Sequence, residues 1–325
     1  MRKVILNTAV CIVAASFVLP AAINGFFYYK NDTSKTLSEG GIITYLGEDN
    51  SSNTVQNTEE EKYVIDVPND IEEYIVGVVA AEMPAAFEEE ALKAQAVAAR
   101  TYAINKELPV SELIENGGQA YCTVDEMKSK WGDNFDLYYE KIRSAVYDTQ
   151  GEIIVYNNEP ILAVFHAISG GKTEESENVW HEDLPYLKSV DSSEDELAEE
   201  YYSETKIPVN TVISLLQGNY ANLKLTEGSL ADQMQIIERT EAGYVSKIQV
   251  GNMLLTGLQL REVLGLRSSN FTFEQVGNDI IFKTKGYGHG AGMSQYGANY
   301  MASEGSTYKE ILAHYYTSTD IKKYM

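Results

Sequence analysis

Glu82 is the first residue whose type and setting could do chemistry. It is a carboxylate in the otherwise apolar run VVAAEMP, close to where the sequence predicts a helix to end. Burial and the negative end of the helix dipole both disfavour a charged carboxylate. We therefore predict a raised pKa for Glu82, which is the property that a general acid needs. The alternative is a glutamate that points to solvent or pairs with Arg100.

A second segment with reactive side chains is AVFHAISGGKT. Ser169 precedes two glycines at a predicted strand end, so its hydroxyl and nearby backbone N–H groups could face a cleft. A phosphate-binding loop is not supported, because His166 stands where that motif needs glycine. Ser169 and Lys172 have the spacing of a serine β-lactamase motif, but no S-D-N follows and Glu174 replaces the expected glycine. A plain turn is the alternative for this segment.

The third segment is GYGHGAGMSQYGA, in which glycine occupies every second position from 286 to 292 around His289. These glycines can adopt positive φ or let a ligand approach the backbone. The alternate spacing differs from the G-x-G-x-x-G of dinucleotide-binding proteins. A metal held by His289 and His314 would lack an identifiable third ligand. We therefore predict no cofactor and no metal.

Helices and strands must position these segments. Asp70 is the predicted N-cap of a helix that ends near Glu82, because Met83 precedes a proline and so disfavours the α conformation. The next helix carries an apolar stripe formed by Leu92, Ala96, Ala99 and Ala103. The small alanine side chains in it allow close packing against a neighbour. Further patterns predict helices over 132–151, 207–217 and 255–265, a hairpin over 152–169 that turns at Asn157 and Asn158, and strands over 230–240 and 244–250.

The order of these elements predicts an α+β fold, with mixed helices and antiparallel sheet rather than a regular βαβ alternation. The acidic run 189–205 is typical of a solvated face. With 25 Lys and Arg against 48 Asp and Glu, the chain has a net charge of −23, which argues against nucleic-acid binding. Cys11 and Cys122 are its two cysteines, so no disulfide framework is expected.

The N-terminal region predicts a membrane anchor. Residues 4–29 carry no charge and are long enough to cross a bilayer as a helix. Arg2 and Lys3 precede them, so we expect residues 1–3 to be cytoplasmic and the following chain to be exported. A cleaved signal peptide is the alternative. The polar residues 30–62 predict a flexible tether, followed by a single folded domain over 63–325.

Long stretches of this domain resemble the stage II sporulation protein D family, of the SpoIID/LytB type. They are EYIVGVVAAEMPAAFEEEALKAQAVAARTYA, FHAISGGKTEESENVWHEDLPYLKSV, LTGLQLREVLGLRSSNF and GYGHGAGMSQYGANYMASEGSTYKEILAHYY. The resemblance runs from about residue 63 to the C-terminus. The single-pass anchor before it resembles the sporulation members rather than secreted relatives.

The resemblance implies a lytic transglycosylase that cuts peptidoglycan glycan strands, preferably after their stem peptides are removed, during engulfment in sporulation. Its catalytic glutamate corresponds to Glu82. The implied partners are an amidase and a membrane protein of the engulfment machinery, with the catalytic domain outside the cytoplasm. The implied saccharide contacts are Arg100, Ser169, His289, Ser294, Gln295 and Tyr296.

Some members of this family carry a zinc cluster of Cys and His in the loop after the second helix. This chain has AYCTVDEMKSKW there, with Cys122 but no second cysteine and no histidine, so no zinc is expected. Two other functions remain open at this point. One is a non-catalytic glycan-binding activator of an amidase, and the other is a scaffold in a membrane complex.

Overall fold

Helices precede most of the strands in the computed structural model, which describes residues 70–225 and 228–324. The α-helices are α1 Ile71–Glu82, α2 Glu89–Asn105, α3 Val110–Asn116, α4 Val124–Trp131, α5 Phe135–Asp148, α6 Ser176–Trp180, α7 Val209–Asn219, α8 Gly257–Leu264, α9 Gln295–Ser303 and α10 Tyr308–Tyr315. The strands are β1 Glu152–Tyr156, β2 Glu159–Pro160, β3 Phe165–His166, β4 Tyr202–Pro208, β5 Met234–Arg239, β6 Val245–Val250, β7 Met253–Leu255, β8 Phe271–Val276, β9 Asp279–Lys285, β10 Met293–Ser294 and β11 Asp320–Lys323.

The strands form small sheets, ordered β11-β1-β2, β10-β3, β4-β9-β8 and β5-β6-β7. Pairing is antiparallel except between β3 and β10, which run parallel. The predicted α+β class with helices and antiparallel sheet is therefore confirmed for the described residues. The described residues cluster as one compact unit.

Helix α1 begins and ends as its sequence predicts. The Asp70 side chain accepts a hydrogen bond from the backbone N–H of Glu72 at 3.0 Å, which satisfies one of the free donors at a helix start. Met83 is extended, with φ −122° and ψ 141°, because the following Pro84 disfavours helical backbone before it. Glu82 is thus the last residue of the helix.

A helical core surrounds α2, whose small residues leave room for neighbours on several sides. Ala91, Ala96 and Ala99 are fully buried, and α1, α5, α9, α10 and β1 all pack against this helix. Large apolar side chains fill the rest of this core, including Tyr74, Ile75, Leu92, Ile142, Ile311 and Tyr316. The predicted close packing of the alanine-rich helix is confirmed.

A second core lies between the sheets β4-β9-β8 and β5-β6-β7 and the helices α7 and α8. Its buried side chains include Val212, Leu216, Ile248, Leu260, Phe271 and Phe282. Strands β4, β8 and β9 were not predicted. The alternating patterns of β8 and β9 bury one face each, and β4 runs alongside β9 over its whole length.

Two predictions about residues 152–205 need correction. The hairpin 152–169 forms only in its first half, where Asn157 and Asn158 have φ of 52° and 70° and join β1 to β2; β3 instead pairs with β10. The acidic run 189–205 is not simply a solvated face. Within it, Asp195 is only 1% exposed, and residues 202–205 belong to β4.

The predicted anchor over 4–29 and tether over 30–62 lie outside the described residues. Among residues 70–225 and 228–324, no helix combines the length and the apolar character that crossing a membrane requires.

Candidate functional site

Glu82 is held at the end of α1 by the loop that joins α3 to α4. The backbone N–H of Ala120 donates a 2.9 Å hydrogen bond to Oε1 of Glu82. The loop is itself fixed to α1, because the N–H of Cys122 donates to the carbonyl of Gly77 at 3.0 Å. Glycine is needed at position 77, since a Cβ there would lie 2.1 Å from the Tyr121 ring. One end of the Glu82 carboxylate is therefore fixed by a backbone donor.

Burial is the main electrostatic influence on Glu82, and it raises the pKa of the carboxyl to about 7. The Ala120 hydrogen bond and the positive charge of Lys130 act in the opposite direction, because both favour the ionised form. Taken as a whole, the residue is only partly buried. A carboxyl in this state is protonated in a large fraction of molecules near neutral pH, as the sequence predicts for a general acid.

Two tyrosines respond to the charge of the Glu82 carboxyl. Burial, together with the Glu82 charge, raises the pKa of Tyr74 above its usual range and that of Tyr102 to about 12. Tyr74 is fully buried and its ring stacks on Tyr121, with the ring centroids 5.7 Å apart. Both phenols stay neutral across the physiological range, so Glu82 is the group of this cluster that titrates near pH 7.

Arg100 lies in the core rather than at a surface open to a glycan. Its guanidinium is 0% exposed and pairs with Glu72, with Nη2 and Oε2 2.6 Å apart. It also donates to the backbone carbonyls of Val146 and Glu152, at 3.0 and 3.1 Å. This buried placement contradicts the expectation that Arg100 contacts saccharide. The alternative that Glu82 pairs with Arg100 is also wrong, because the ion-pair partner of Arg100 is Glu72.

Ser169 and Ser294 meet at the buried carboxylate of Asp195. The N–H of Ser169 donates to Oδ2 of Asp195 at 2.7 Å, and Oγ of Ser294 donates to Oδ1 at 2.9 Å. Ser192 completes the group, since its hydroxyl donates to Oδ2 at 3.0 Å. Both Ser169 and Ser294 are fully buried. They hold the chain together at this point and offer no surface to a ligand.

Asp195 is the residue of this network that sequence reasoning missed, because it stands in an acidic run that resembles a solvated surface. Burial raises the pKa of its carboxyl, while the hydrogen bonds from Ser169, Ser294 and Ser192 lower it. The hydroxyl of Ser294 also accepts from the N–H of Gly297 at 3.2 Å. Ser294 is thereby the N-cap of α9. A serine directly before this helix is the sequence signal from which the capping role of Ser294 could have been predicted.

The alternating glycines take positive φ, as predicted, but the groups that approach them belong to the chain itself. Gly286, Gly288, Gly290 and Gly292 have φ of 78°, 121°, 87° and 72°. A Cβ on Gly292 would lie 2.0 Å from the carbonyl oxygen of Val164, and one on Gly288 would lie 2.7 Å from Cβ of His166. The glycines allow this segment to run closely beside the segment that contains β3.

His289 faces a cavity of about 490 Å³ between α6 and the β5–β6 hairpin. Its ring lies 5.2 Å from that of Trp180, centroid to centroid. Burial lowers the pKa of His289 well below its usual value, and burial likewise lowers that of the neighbouring His166 to about 4, so both rings are neutral. Other residues that line the cavity are Glu174, Asn178, Thr240, Tyr244 and Leu255.

Glu82 is absent from the lining of this cavity, so the cavity does not bring Glu82 and His289 together. Gln295 and Tyr296 lie nearer the helical core. Nε2 of Gln295 donates to Oε1 of Gln95 on α2 at 3.3 Å. Tyr296 packs edge-on against Phe87, with centroids 4.9 Å apart, beside the loop that follows Glu82. Of the predicted contacts, Tyr296 and His289 are partly buried residues, and the other four are buried.

Within the described ranges, no group of three or more His, Cys, Asp and Glu side chains is arranged to hold a metal ion. The thiol of Cys122 lies among Lys130, Glu126 and Glu82, and burial raises its pKa.

The model of the SpoIID family, described as stage II sporulation protein, matches residues 57–156. The chain is 39% identical over 262 residues to stage II sporulation protein D of Bacillus subtilis (strain 168), which covers 78% of this chain and 74% of that protein. It is 40% identical, with the same coverage, to stage II sporulation protein D of Bacillus amyloliquefaciens.

A more distant relative carries a different name. The amidase enhancer of Bacillus subtilis (strain 168) is 30% identical over 302 residues, which covers 76% of this chain but only 40% of that protein.

Proposed function

The chain belongs to the SpoIID family, and we propose that it remodels the cell wall during sporulation as a lytic transglycosylase. The substrate is the glycan strand of peptidoglycan, preferably stripped of stem peptides. The observation that carries the proposal is the state of Glu82: the Ala120 N–H fixes its carboxyl at 2.9 Å, and burial raises the pKa of that carboxyl to about 7.

One carboxyl is enough for this reaction. The protonated Glu82 gives its proton to the oxygen between C1 of N-acetylmuramic acid and C4 of N-acetylglucosamine, and the C1–O bond breaks. The 6-hydroxyl of the same muramic acid attacks C1, and its proton returns to the Glu82 carboxylate. The products are a 1,6-anhydro end and a free 4-hydroxyl, and no water is consumed.

The number of carboxyl groups distinguishes this scheme from ordinary glycoside hydrolysis. Most hydrolases use two carboxyl groups on either side of the bond that is cut. In the proposed reaction one acid, Glu82, gives a proton to the leaving oxygen and later accepts one from the 6-hydroxyl. The intramolecular attack therefore needs no second carboxyl group.

Two further parts of the proposal concern location. We propose that residues 4–29 anchor the chain in the membrane, with the folded domain on the extracytoplasmic side. A protein with a net charge of −23 should be repelled by an anionic cell wall. Recruitment by an amidase and a membrane protein of the engulfment machinery would then bring the domain to its substrate.

The test is product analysis. The purified protein is incubated with stripped glycan strands, and the products are identified by mass spectrometry. Anhydro ends that disappear in Glu82→Gln support the transglycosylase. Reducing ends would instead indicate hydrolysis and contradict it.

A non-catalytic activator is the second candidate, and the likeness to an amidase enhancer favours it. It predicts that glycan stays intact while the protein binds it and stimulates a cell-wall amidase to the same extent with or without the Glu82 carboxyl. Assaying glycan cleavage and amidase stimulation side by side, for the parent and Glu82→Gln proteins, separates the two functions.

A further inference from the structure

Lys130 places a positive charge beside Glu82 in a strongly acidic protein. It is the seventh residue of α4, and its Nζ donates a 2.9 Å hydrogen bond to the carbonyl of Ala80 in the last turn of α1. Ala80 lies two residues before Glu82. The contact therefore holds the ammonium close to the end of α1, where the candidate acid is located.

The Lys130 charge changes the pKa of two other groups. It lowers the pKa of the Glu82 carboxyl and of the Cys122 thiol, in each case against the larger effect of burial. Glu82, Cys122 and Lys130 therefore share one electrostatic environment.

The ammonium is not neutralised by a partner among residues 70–225 and 228–324, where none of the ion pairs includes Lys130. The acidic residues of α4 are engaged elsewhere. Glu126 accepts from the N–H and hydroxyl of Thr123 at 2.7 and 2.8 Å, in the capping box of the helix. Asp125 pairs with Lys128 at 3.1 Å. Lys130 is exposed, so its remaining N–H donors are available to an anion.

Resting on the proposed function, we propose that Lys130 forms a subsite for the lactyl carboxylate of a muramic acid residue in stripped glycan. This carboxylate is an anion only after the stem peptide is removed, because in intact peptidoglycan the same carbon is part of a neutral amide. An ammonium beside the catalytic acid would attract the free carboxylate, and it would gain nothing comparable from the amide. Lys130 is thereby a determinant of specificity for stripped strands.

The experiment measures binding without turnover, in protein that carries Glu82→Gln. The ligands are stripped glycan oligosaccharides and the same oligosaccharides with their lactyl carboxyl groups converted to methyl amides. Lys130→Gln is compared with Lys128→Gln, a matched control on the same helix whose ammonium pairs with Asp125. Affinities are determined by isothermal titration calorimetry at low and at physiological salt.

Lys130→Gln should weaken binding of the free carboxylate form about 2- to 5-fold, as expected for one exposed ion pair. It should leave binding of the methyl amide form unchanged, so the preference between the two ligands disappears. Lys128→Gln should keep that preference. The preference should also shrink at higher salt, since exposed charges are screened.

Three results would overturn the subsite: an unchanged preference in Lys130→Gln, an equal loss of affinity for both ligands, or no measurable binding of either ligand to the Glu82→Gln protein. Because these measurements involve no cleavage, they are independent of the test of the proposed function. A protein that forms no anhydro ends but discriminates between the ligands through Lys130 would retain the subsite and lose the transglycosylase.

Discussion

The backbone N–H of Ala120 and Oε1 of Glu82 are 2.9 Å apart, although 38 residues separate them in the chain. This bond fixes the carboxyl on one side while burial raises its pKa to about 7. The hydrogen bond alone would favour the ionised carboxylate, and burial outweighs it. Glu82 is thus prepared to give and to take a proton near neutral pH.

Activity should fall as pH rises through about 7. A general acid must carry its proton, so kcat/KM on stripped glycan is expected to be highest below the folded pKa of Glu82 and to drop about tenfold per pH unit above it. Rates of formation of anhydro ends between pH 5 and 9 check this. A profile that rises through pH 7 would assign Glu82 a different role.

The same group should make stability depend on pH. Its pKa of about 7 lies above the ordinary value of 4.5, so folding favours the protonated form, and its contribution is lost as pH rises through the folded pKa. As pH rises from 5 to 8, the parent should therefore lose about 1–3 kcal/mol of its free energy of unfolding, and Glu82→Gln should not show this loss. Urea denaturation at both pH values measures the change. Glu112→Gln, at an exposed residue of α3, should show the same loss as the parent.

Arg100→Met should destabilise the fold rather than impair glycan contacts. The substitution leaves the Glu72 carboxylate, which is 2% exposed, without its partner, at a cost of about 3–5 kcal/mol. Glu72→Met combined with Arg100→Met should cost less than the sum of the single changes, because no lone charge remains. Urea denaturation of the three variants gives the comparison. If Arg100→Met keeps full stability but binds glycan more weakly, the result would instead support a direct contact between Arg100 and glycan.

Gly292→Ala and Gly265→Ala test what the glycine-rich segment requires. Both positions have similar φ, 72° and 65°, but an added Cβ would lie 2.0 Å from the Val164 carbonyl at position 292 and in open space at 265. Gly265→Ala should cost about 1 kcal/mol from backbone strain alone. Gly292→Ala should cost about 3 kcal/mol or more, or prevent folding. Equal thermal unfolding temperatures for the two variants would contradict this account.

Ser294→Ala should lower stability by about 2 kcal/mol, because it removes both the N-cap of α9 and one donor to the buried Asp195. Ser303→Ala is the control. It lies in the same helix, is exposed, and should change stability by less than about 0.5 kcal/mol. Both changes are measured by thermal unfolding, and a stable Ser294→Ala protein with weakened glycan affinity would favour the predicted saccharide contact.

The sequence alone determined the features that depend on neighbouring residues. Asp70 and Pro84 set the ends of α1, and the periodicity of α2 predicted its burial. Asn157 and Asn158 marked the turn between β1 and β2. Capping, helical periodicity and turn chemistry act over a few residues, so their signals are present in any short stretch of the chain.

Tertiary structure decided which of the predicted site residues have access to a ligand. Glu82 accepts a hydrogen bond from Ala120 across 38 residues of chain, whereas Ser169 and Ser294 meet at Asp195 across 26 and 99 residues. A charged residue has the same local signal at a surface as in a buried network, so Asp195 resembled a solvated residue. Such contacts form only when the whole chain closes around them, and no short stretch of sequence records them.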